Sequence, residues 1–295
     1  MAGAIVSDSI WLFVELLALF LGVSFALHLL QRRLGNTRLK TLMGASPLKA
    51  ALRGIAVGFI TPFCTYSAIP VLVALRQAGV TAAGYVAFVV AAPVLDPILF
   101  GALLIIVGWK AALIYLGVAF GAALGLALAA ERVNLERFMK PLPVAAGSAE
   151  HSAPWAGIGL EWRPAWKASR ALLRTMLPLL VVGVGIGLAI TVFLPAETAA
   201  RIPVLAGDGA ILAAAAVGTV FYVNTEIFVP IADALRSAGI GIGAIVALTI
   251  AGAGFNIPEF VILSKLAGKG ILAAFGLYVF AVAVLGGLIA QMLAA

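Results

Sequence analysis

Thr61-Pro62-Phe63-Cys64-Thr65-Tyr66-Ser67-Ala68-Ile69-Pro70 interrupts a long apolar run at its centre. The chain makes the same interruption 160 positions later, as Phe221-Tyr222-Val223-Asn224-Thr225-Glu226-Ile227-Phe228-Val229-Pro230. Proline lacks the N–H that a helix needs, so each run leaves carbonyls without helical donors. Hydroxyls, an amide and a carboxylate cluster around those carbonyls. Outward from the two runs the identities continue without a gap. Ala56-Val57-Gly58 recurs as Ala216-Val217-Gly218, Ala74-Leu75-Arg76 as Ala234-Leu235-Arg236, and Ala78-Gly79 as Ala238-Gly239. Val86-Ala87 recurs as Val246-Ala247, Ala91 as Ala251, and Gly108 as Gly268. The chain reads as two homologous halves.

Composition sets the environment. The sequence is 64% hydrophobic and 11% charged, with a mean hydropathy of +1.17; soluble domains have about 25% charged residues. Several apolar stretches reach the ~20 residues that cross a bilayer. An all-α, polytopic membrane protein is expected. Ile10 to Leu30 is too long, and lacks the preceding basic run, for a cleaved signal peptide, so it reads as a span. The net charge of +7 then reports orientation and lipid contact rather than nucleic acid.

Four apolar segments are expected per half: near 9–30, 50–78, 81–107 and 110–130, then near 171–195, 209–236, 240–266 and 270–294. The first membrane unit covers 1–130 and the second 171–295. Between them, 131–170 is a polar linker whose end holds Trp162 and Trp166 beside Arg163, Lys167, Arg170 and Arg174. That end suits either a short amphipathic helix at the membrane interface or a plain solvated linker.

Loop charge orients the halves. Segment 31–53 carries Arg32, Arg33, Arg38, Lys40, Lys49 and Arg53 without an acid, and the linker is basic too. Both read as cytoplasmic, which puts the N-terminus outside. Three segments lie between these two loops, so one must enter and leave on the same side. Segment two, broken around Pro62 and Pro70, is the natural re-entrant element, and an odd number of crossings per half makes the repeats inverted. Non-helical backbone at such depth is tolerated only inside protein or beside a water-filled cavity.

A second pair of breaks interrupts segment three: Pro93-Val94-Leu95-Asp96-Pro97 and Gly254-Phe255-Asn256-Ile257-Pro258-Glu259. Paired, interrupted segments of this kind point to a midplane transport site. Carboxylates are costly at mid-depth and are functional by default. Asp96 and Glu226 lie inside the breaks and are read as coupling or substrate-contacting groups able to carry a proton. Glu259 has two readings, a coupling group or a cap on a half-helix. Glu15 reads as structural or interfacial. Cys64, Thr65, Tyr66, Ser67, Asn224, Thr225 and Asn256 are the expected substrate contacts, and Pro62, Pro70, Pro93, Pro97, Pro230 and Pro258 the expected breaks. His28 and His151 are isolated, so no metal site is expected, and no cofactor. Gly117, Gly121 and Gly125 form a small-residue stripe that reads as close helix packing and permits a homo-oligomer.

The Thr61–Pro70 run, with Ala78-Gly79-Val80 and the ending Gly254-Phe255-Asn256-Ile257-Pro258-Glu259-Phe260, resembles the ArsP/YraQ-type predicted permeases from Glu15 to the C-terminus, the linker aside. The resemblance implies a bacterial inner-membrane permease, and in its best-known members export of trivalent organoarsenicals. Members typically show Cys-Ser-Cys where this chain has Cys64-Thr65-Tyr66, and Cys64 is the only cysteine here. A metalloid and a small polar or anionic solute are both open as cargo. Secondary transport ranks above a passive channel, and both above an intramembrane enzyme acting on lipid phosphates, which would need carboxylates and an arginine in one cavity.

Overall fold

The computed structural model describes residues 2–44, 46–61, 65–141, 157–193, 209–220, 231–233, 235–236 and 239–294. Among these the architecture is all-helical, with one isolated antiparallel bridge, Met139 to Ala267. In chain order the first half holds α1 (Ala2–Met43), α2 (Pro47–Ile60), α3 (Thr65–Gln77), α4 (Ala82–Val94), α5 (Pro97–Ile106) and α6 (Trp109–Arg132), then a 3-10 turn at Leu135–Phe138. The second holds α7 (Ile158–Phe193), α8 (Ala210–Val220), α9 (Ile242–Gly254), α10 (Ile257–Leu263) and α11 (Lys269–Ala294). By length and apolarity α6, α9 with α10, and α11 can each cross a membrane, and α4 with α5, bent by 41°, is either a broken fourth span or a re-entrant loop.

Helix boundaries fall at matching positions. Ala82–Val94 and Ile242–Gly254 lie 160 apart at both ends, and the starts Pro97 and Ile257, Trp109 and Lys269, share that offset. The turn before α4 closes on Gly79 at φ 71, with Val80 N–H donating to the Leu75 carbonyl. The turn before α9 closes on Gly239 at φ 80, with Ile240 N–H donating to the Leu235 carbonyl. Both need a left-handed residue, which glycine adopts without strain. One residue into each following helix, a distant side chain satisfies an orphan N–H: Ala83 donates to Glu131 Oε2 and Gly243 to Gln291 Oε1, each at 3.0 Å.

Glycines set the close contacts. A Cβ on Gly54 would lie 2.3 Å from the Gly84 carbonyl, and one on Gly58 would lie 2.9 Å from Ala92 N and 3.0 Å from Ala91 Cβ. α2 therefore runs parallel to α4, starting level with it, since Gly84 also faces Ala50. Because α3 ends at the turn that begins α4, the outer ends of α2 and α3 share one level. Gly218 repeats the packing of Gly58: a Cβ there would lie 2.7 Å from Ala251 Cβ and 2.8 Å from the Leu248 carbonyl.

α6 and α11 run antiparallel. Gly286 faces Val118, whereas the Tyr278 hydroxyl donates to the Ala122 carbonyl. The end of α6 meets the start of α11, where Lys140 N–H donates to Leu266 and Gly268 N–H to Phe138. α1 and α7 are also antiparallel, joined by Arg32 with Glu161 and by Phe25 against Trp166.

Several expectations change. α1 continues through the basic stretch to Met43, interrupted in helical geometry only at Gly35, so the connection to α2 is three residues long. The basic, tryptophan-bearing stretch is the first part of the 36-residue α7, not a separate short helix. Apolar residues at 165, 168, 172 and 176 keep helical period there, so nothing terminates the helix before the span. α3 passes through Pro70 and α4 through Pro93, and the break itself falls at Leu95-Asp96. Each proline removes one i→i−4 bond without ending its helix, because the flanking turns are buried and packed. Within the chain the glycine stripe of α6 packs only at its last member: a Cβ on Gly125 would lie 3.4 Å from the Tyr278 hydroxyl, whereas one on Gly117 or Gly121 would meet nothing within 4 Å. The buried stripe is alanine, at Ala119, Ala123 and Ala127. Alanine rows at i, i+4 present the same smooth face while keeping the better helix former inside.

Candidate functional site

The two breaks of the third segments lie side by side. A Cβ on Gly254 would sit 3.4 Å from Val94 Cγ2, which brings the last turns of α4 and α9 together just before Leu95-Asp96 and Phe255-Asn256. At each break the polar residue caps the next helix. Asp96 accepts from Ile98 N–H at 3.0 Å, and Asn256 accepts from Glu259 N–H at 2.9 Å while donating to the Gly252 carbonyl. Pro97 opens α5 and Pro258 stands in the first turn of α10, where a missing N–H costs nothing. Asp96, Asn256 and Glu259 are all buried.

Glu259 is the informative side chain. It occupies the third position of α10, where a glutamate ordinarily reaches back to the N-cap N–H and completes a capping box. Half of that box is present, the bond from its own N–H to Asn256. The other half is not. Both carboxylate oxygens are buried and have no hydrogen-bond partner among the described residues. The hydrogen-bonded box is therefore incomplete, and burial without a donor costs about 1–3 kcal/mol, while Glu259 keeps its place in the first turn of α10, where the helix dipole favours an acid.

Aromatic side chains brace both breaks. The Tyr115 hydroxyl donates to the Val94 carbonyl, one of the groups at the end of α4 with no helical donor. At the equivalent position of α11, Phe275 packs edge-on against Phe255 with centroids 5.0 Å apart, and Phe260 joins at 6.1 Å. These braces are absent from the residues singled out above, although the offset of 160 would have paired Tyr115 with Phe275. The same offset would have found Glu131 and Gln291.

Phe275 also forms a wall of an apolar cavity of about 290 Å³ between the halves, together with Leu72, Val89, Leu126, Met139 and Tyr278. Polar contacts ring that end of the molecule. Arg76 binds Glu136 with Nη2 to Oε2 at 2.8 Å and Nε to Oε1 at 3.2 Å. Lys140 Nζ donates to the Ser264 carbonyl at 2.6 Å. The Arg76 guanidinium holds the Glu136 carboxyl below the ordinary carboxylate range, with the Tyr85 hydroxyl assisting and partial burial opposing. Arg76 is thus a structural partner, tying the end of α3 to the turn after α6.

Pro62, Cys64, Asn224, Thr225, Glu226 and Pro230 lie outside the described residues, as do the side chains of Glu15, Thr65, Tyr66 and Ser67. Thr65 begins α3, and α3 packs against α10, so the helix after the first proline break adjoins the one bearing Glu259.

An all-helical chain with several helices long and apolar enough to cross a bilayer is of the multi-pass membrane class. A model of the ArsP_1 family, described as predicted permeases, matches residues 5–292, and the chain belongs to that family. It is also similar to a UPF0718 protein of Methanocaldococcus jannaschii, 36% identical over 106 residues, which are 35% of this chain and 28% of that protein. The match therefore spans under a third of the relative. No solved structure matches the chain.

Proposed function

We propose that the protein is a secondary transporter built from two inverted repeats, exporting a small solute across the inner membrane with proton coupling at Glu259 and Asp96. The observation that carries the reading is the Glu259 carboxylate, buried at a helix break with no donor among the described residues. A group in that position gains most from a visiting cation or proton, and freed half-helix ends beside it can coordinate a solute. The antiparallel pairing of α6 with α11, the equivalent helices of the two halves, supports inversion. The start of α2 and the end of α3, both level with the start of α4, support a re-entrant second segment.

Charge supports the orientation. Lys49, Arg53, Arg76, Arg132, Arg137, Lys140, Lys265 and Lys269 gather at the end that holds the α6–α11 junction, against Lys110 and Arg236 at the other. Basic ends face the cytoplasm, so the N-terminus is external and the apolar cavity opens inward. Cys64, Thr65, Tyr66, Ser67, Asn224, Thr225 and Asn256 are assigned to the solute, with Glu226 as a further coupling group. Trivalent organoarsenicals suit Cys64, since thiolate favours soft centres; hydroxyl and amide contacts suit a small polar solute.

The test is accumulation in everted vesicles, with methylated and aromatic As(III) compounds and small anions as cargo, with and without an imposed pH gradient. Accumulation driven by the gradient and lost in Glu259→Gln supports the proposal. Wild-type rates in correctly inserted Glu259→Gln and Asp96→Asn would remove both carboxylates from the mechanism, and flux indifferent to the gradient would indicate a channel.

A further inference from the structure

The first five turns of α7 carry a charged face that transport chemistry does not use. Trp162, Arg163, Trp166, Lys167, Arg170 and Arg174 recur at spacings of three and four, so they share one side of the helix, and all are exposed. The opposite side, Ala165, Ala168, Ser169, Leu172 and Met176, is buried. The helix's own acid is turned away: Glu161 is buried and bound by Arg32 through two bonds of 2.7 and 2.9 Å. Four cations therefore line a surface groove of about 330 Å³ that has no carboxylate among its walls.

Its geometry is preorganised on the aromatic side. Trp166 packs edge-on against Phe25 of α1 at 6.2 Å, and the Arg163 guanidinium lies 5.7 Å from the centre of the Trp162 ring. Tryptophans 41% and 45% exposed are costly in water but settle at the level of lipid headgroups. Length places them there. A 36-residue helix is about 54 Å long, well beyond the ~30 Å hydrocarbon core, and the uncharged run 175–193 is long enough to cover most of that core. Arg174 then sits at the hydrocarbon boundary, with Arg170, Lys167 and Arg163 successively further into the headgroup layer.

We infer that this face of α7 binds the phosphate headgroup of an anionic phospholipid, the arginines holding phosphate oxygens and the tryptophan rings flanking the glycerol region. Arginine offers planar paired donors to phosphate, and long stems let Arg170 and Arg174 lie along the acyl boundary. Because α7 is bound to α1 through Glu161 and Trp166, a lipid held here fixes the entry of the second half against the first. The inference rests on the membrane reading of the chain and is independent of what is transported.

The experiment uses the full chain purified into nanodiscs of phosphatidylcholine alone or mixed with phosphatidylglycerol, read by lipid retention in native mass spectrometry and by the thermal midpoint. Wild type is expected to retain phosphatidylglycerol selectively and to melt higher in the mixed disc. Lys167→Gln/Arg170→Gln/Arg174→Gln should lose that preference by on the order of a hundredfold, at roughly one tenfold step per one to two charges. Its midpoint in phosphatidylcholine should not change, because the three side chains face outward. Arg170→Lys/Arg174→Lys should retain most of the preference. Raised salt should weaken retention by the wild type itself, a readout that needs no variant. Equal retention by the neutral variant, equal protection by phosphatidylcholine, or equal protection by inorganic phosphate in solution would each overturn the assignment.

Discussion

The break at Leu95-Asp96 and the break at Phe255-Asn256 share a position, a cap and a proline, yet place their carboxylates differently. In the first the acid is the cap itself, and Ile98 N–H satisfies it. In the second the cap is a neutral amide, and the acid stands three residues on, at Glu259, where the first half has the equally buried Leu99. Moving a carboxylate from the cap to the third position takes it from a site rich in backbone donors to one whose N–H is already used by Asn256. The difference separates an acid that folding employs from one that folding merely tolerates. Tolerated acids are the ones free to bind something else.

The largest test removes the difference outright. Glu259→Leu copies the first half, and it should raise the melting temperature by relieving about 1–3 kcal/mol of unsatisfied burial while proton-coupled transport falls to background. A variant that melts lower would return the carboxylate to a structural role.

Helix packing gives the next effect. Gly58→Ala and Gly218→Ala each drive a methyl into backbone at 2.9 and 2.8 Å, and each should destabilise by about 1–3 kcal/mol. Gly117→Ala on the open stripe should leave the melting temperature unchanged or raise it by up to about 1 kcal/mol of helix propensity. If Gly58 and Gly218 respond by very different amounts in thermal denaturation, the two halves do not share one packing scheme.

Capping comes third. Asn256→Ala should cost about 1 kcal/mol, whereas Asp96→Asn keeps an equivalent cap and should cost a few tenths. Asp96→Asn therefore isolates charge from structure, and any transport defect it shows in a stable protein is electrostatic.

The smallest effect concerns pH. Glu136 is half exposed, with its side chain 48% accessible, and water screens its pairing with Arg76. Its carboxyl is held low by Arg76, so the pair's contribution is fully present above the ordinary carboxylate value of 4.5 and is lost as pH falls through the depressed one. The melting difference between wild type and Glu136→Gln should be constant near neutrality and close only below that range. A difference that closes at pH 6 to 7 would point to another group.

Much of this was legible in residue order alone. Period-free apolar runs fixed the helical, membrane-spanning class, because only helices satisfy every backbone group without water. The offset of 160 separates Gly58 from Gly218 and Asp96 from Asn256, and the boundaries of α4 and α9 lie at the same offset. What needed the tertiary structure was partnership. A glycine stripe at Gly117 and Gly121 has the same local pattern as a packed one, and only the neighbouring helix decides whether a backbone lies opposite. Arg76 at the end of α3 looks like an interface marker until the turn after α6 brings Glu136 to it. Glu259 reads in sequence as either a coupling group or a cap, and only the folded chain shows that its carboxylate has no hydrogen-bond partner among the described residues. Periodicity and composition are properties of one segment, whereas burial and hydrogen-bond satisfaction belong to pairs of segments that the chain brings together only on folding.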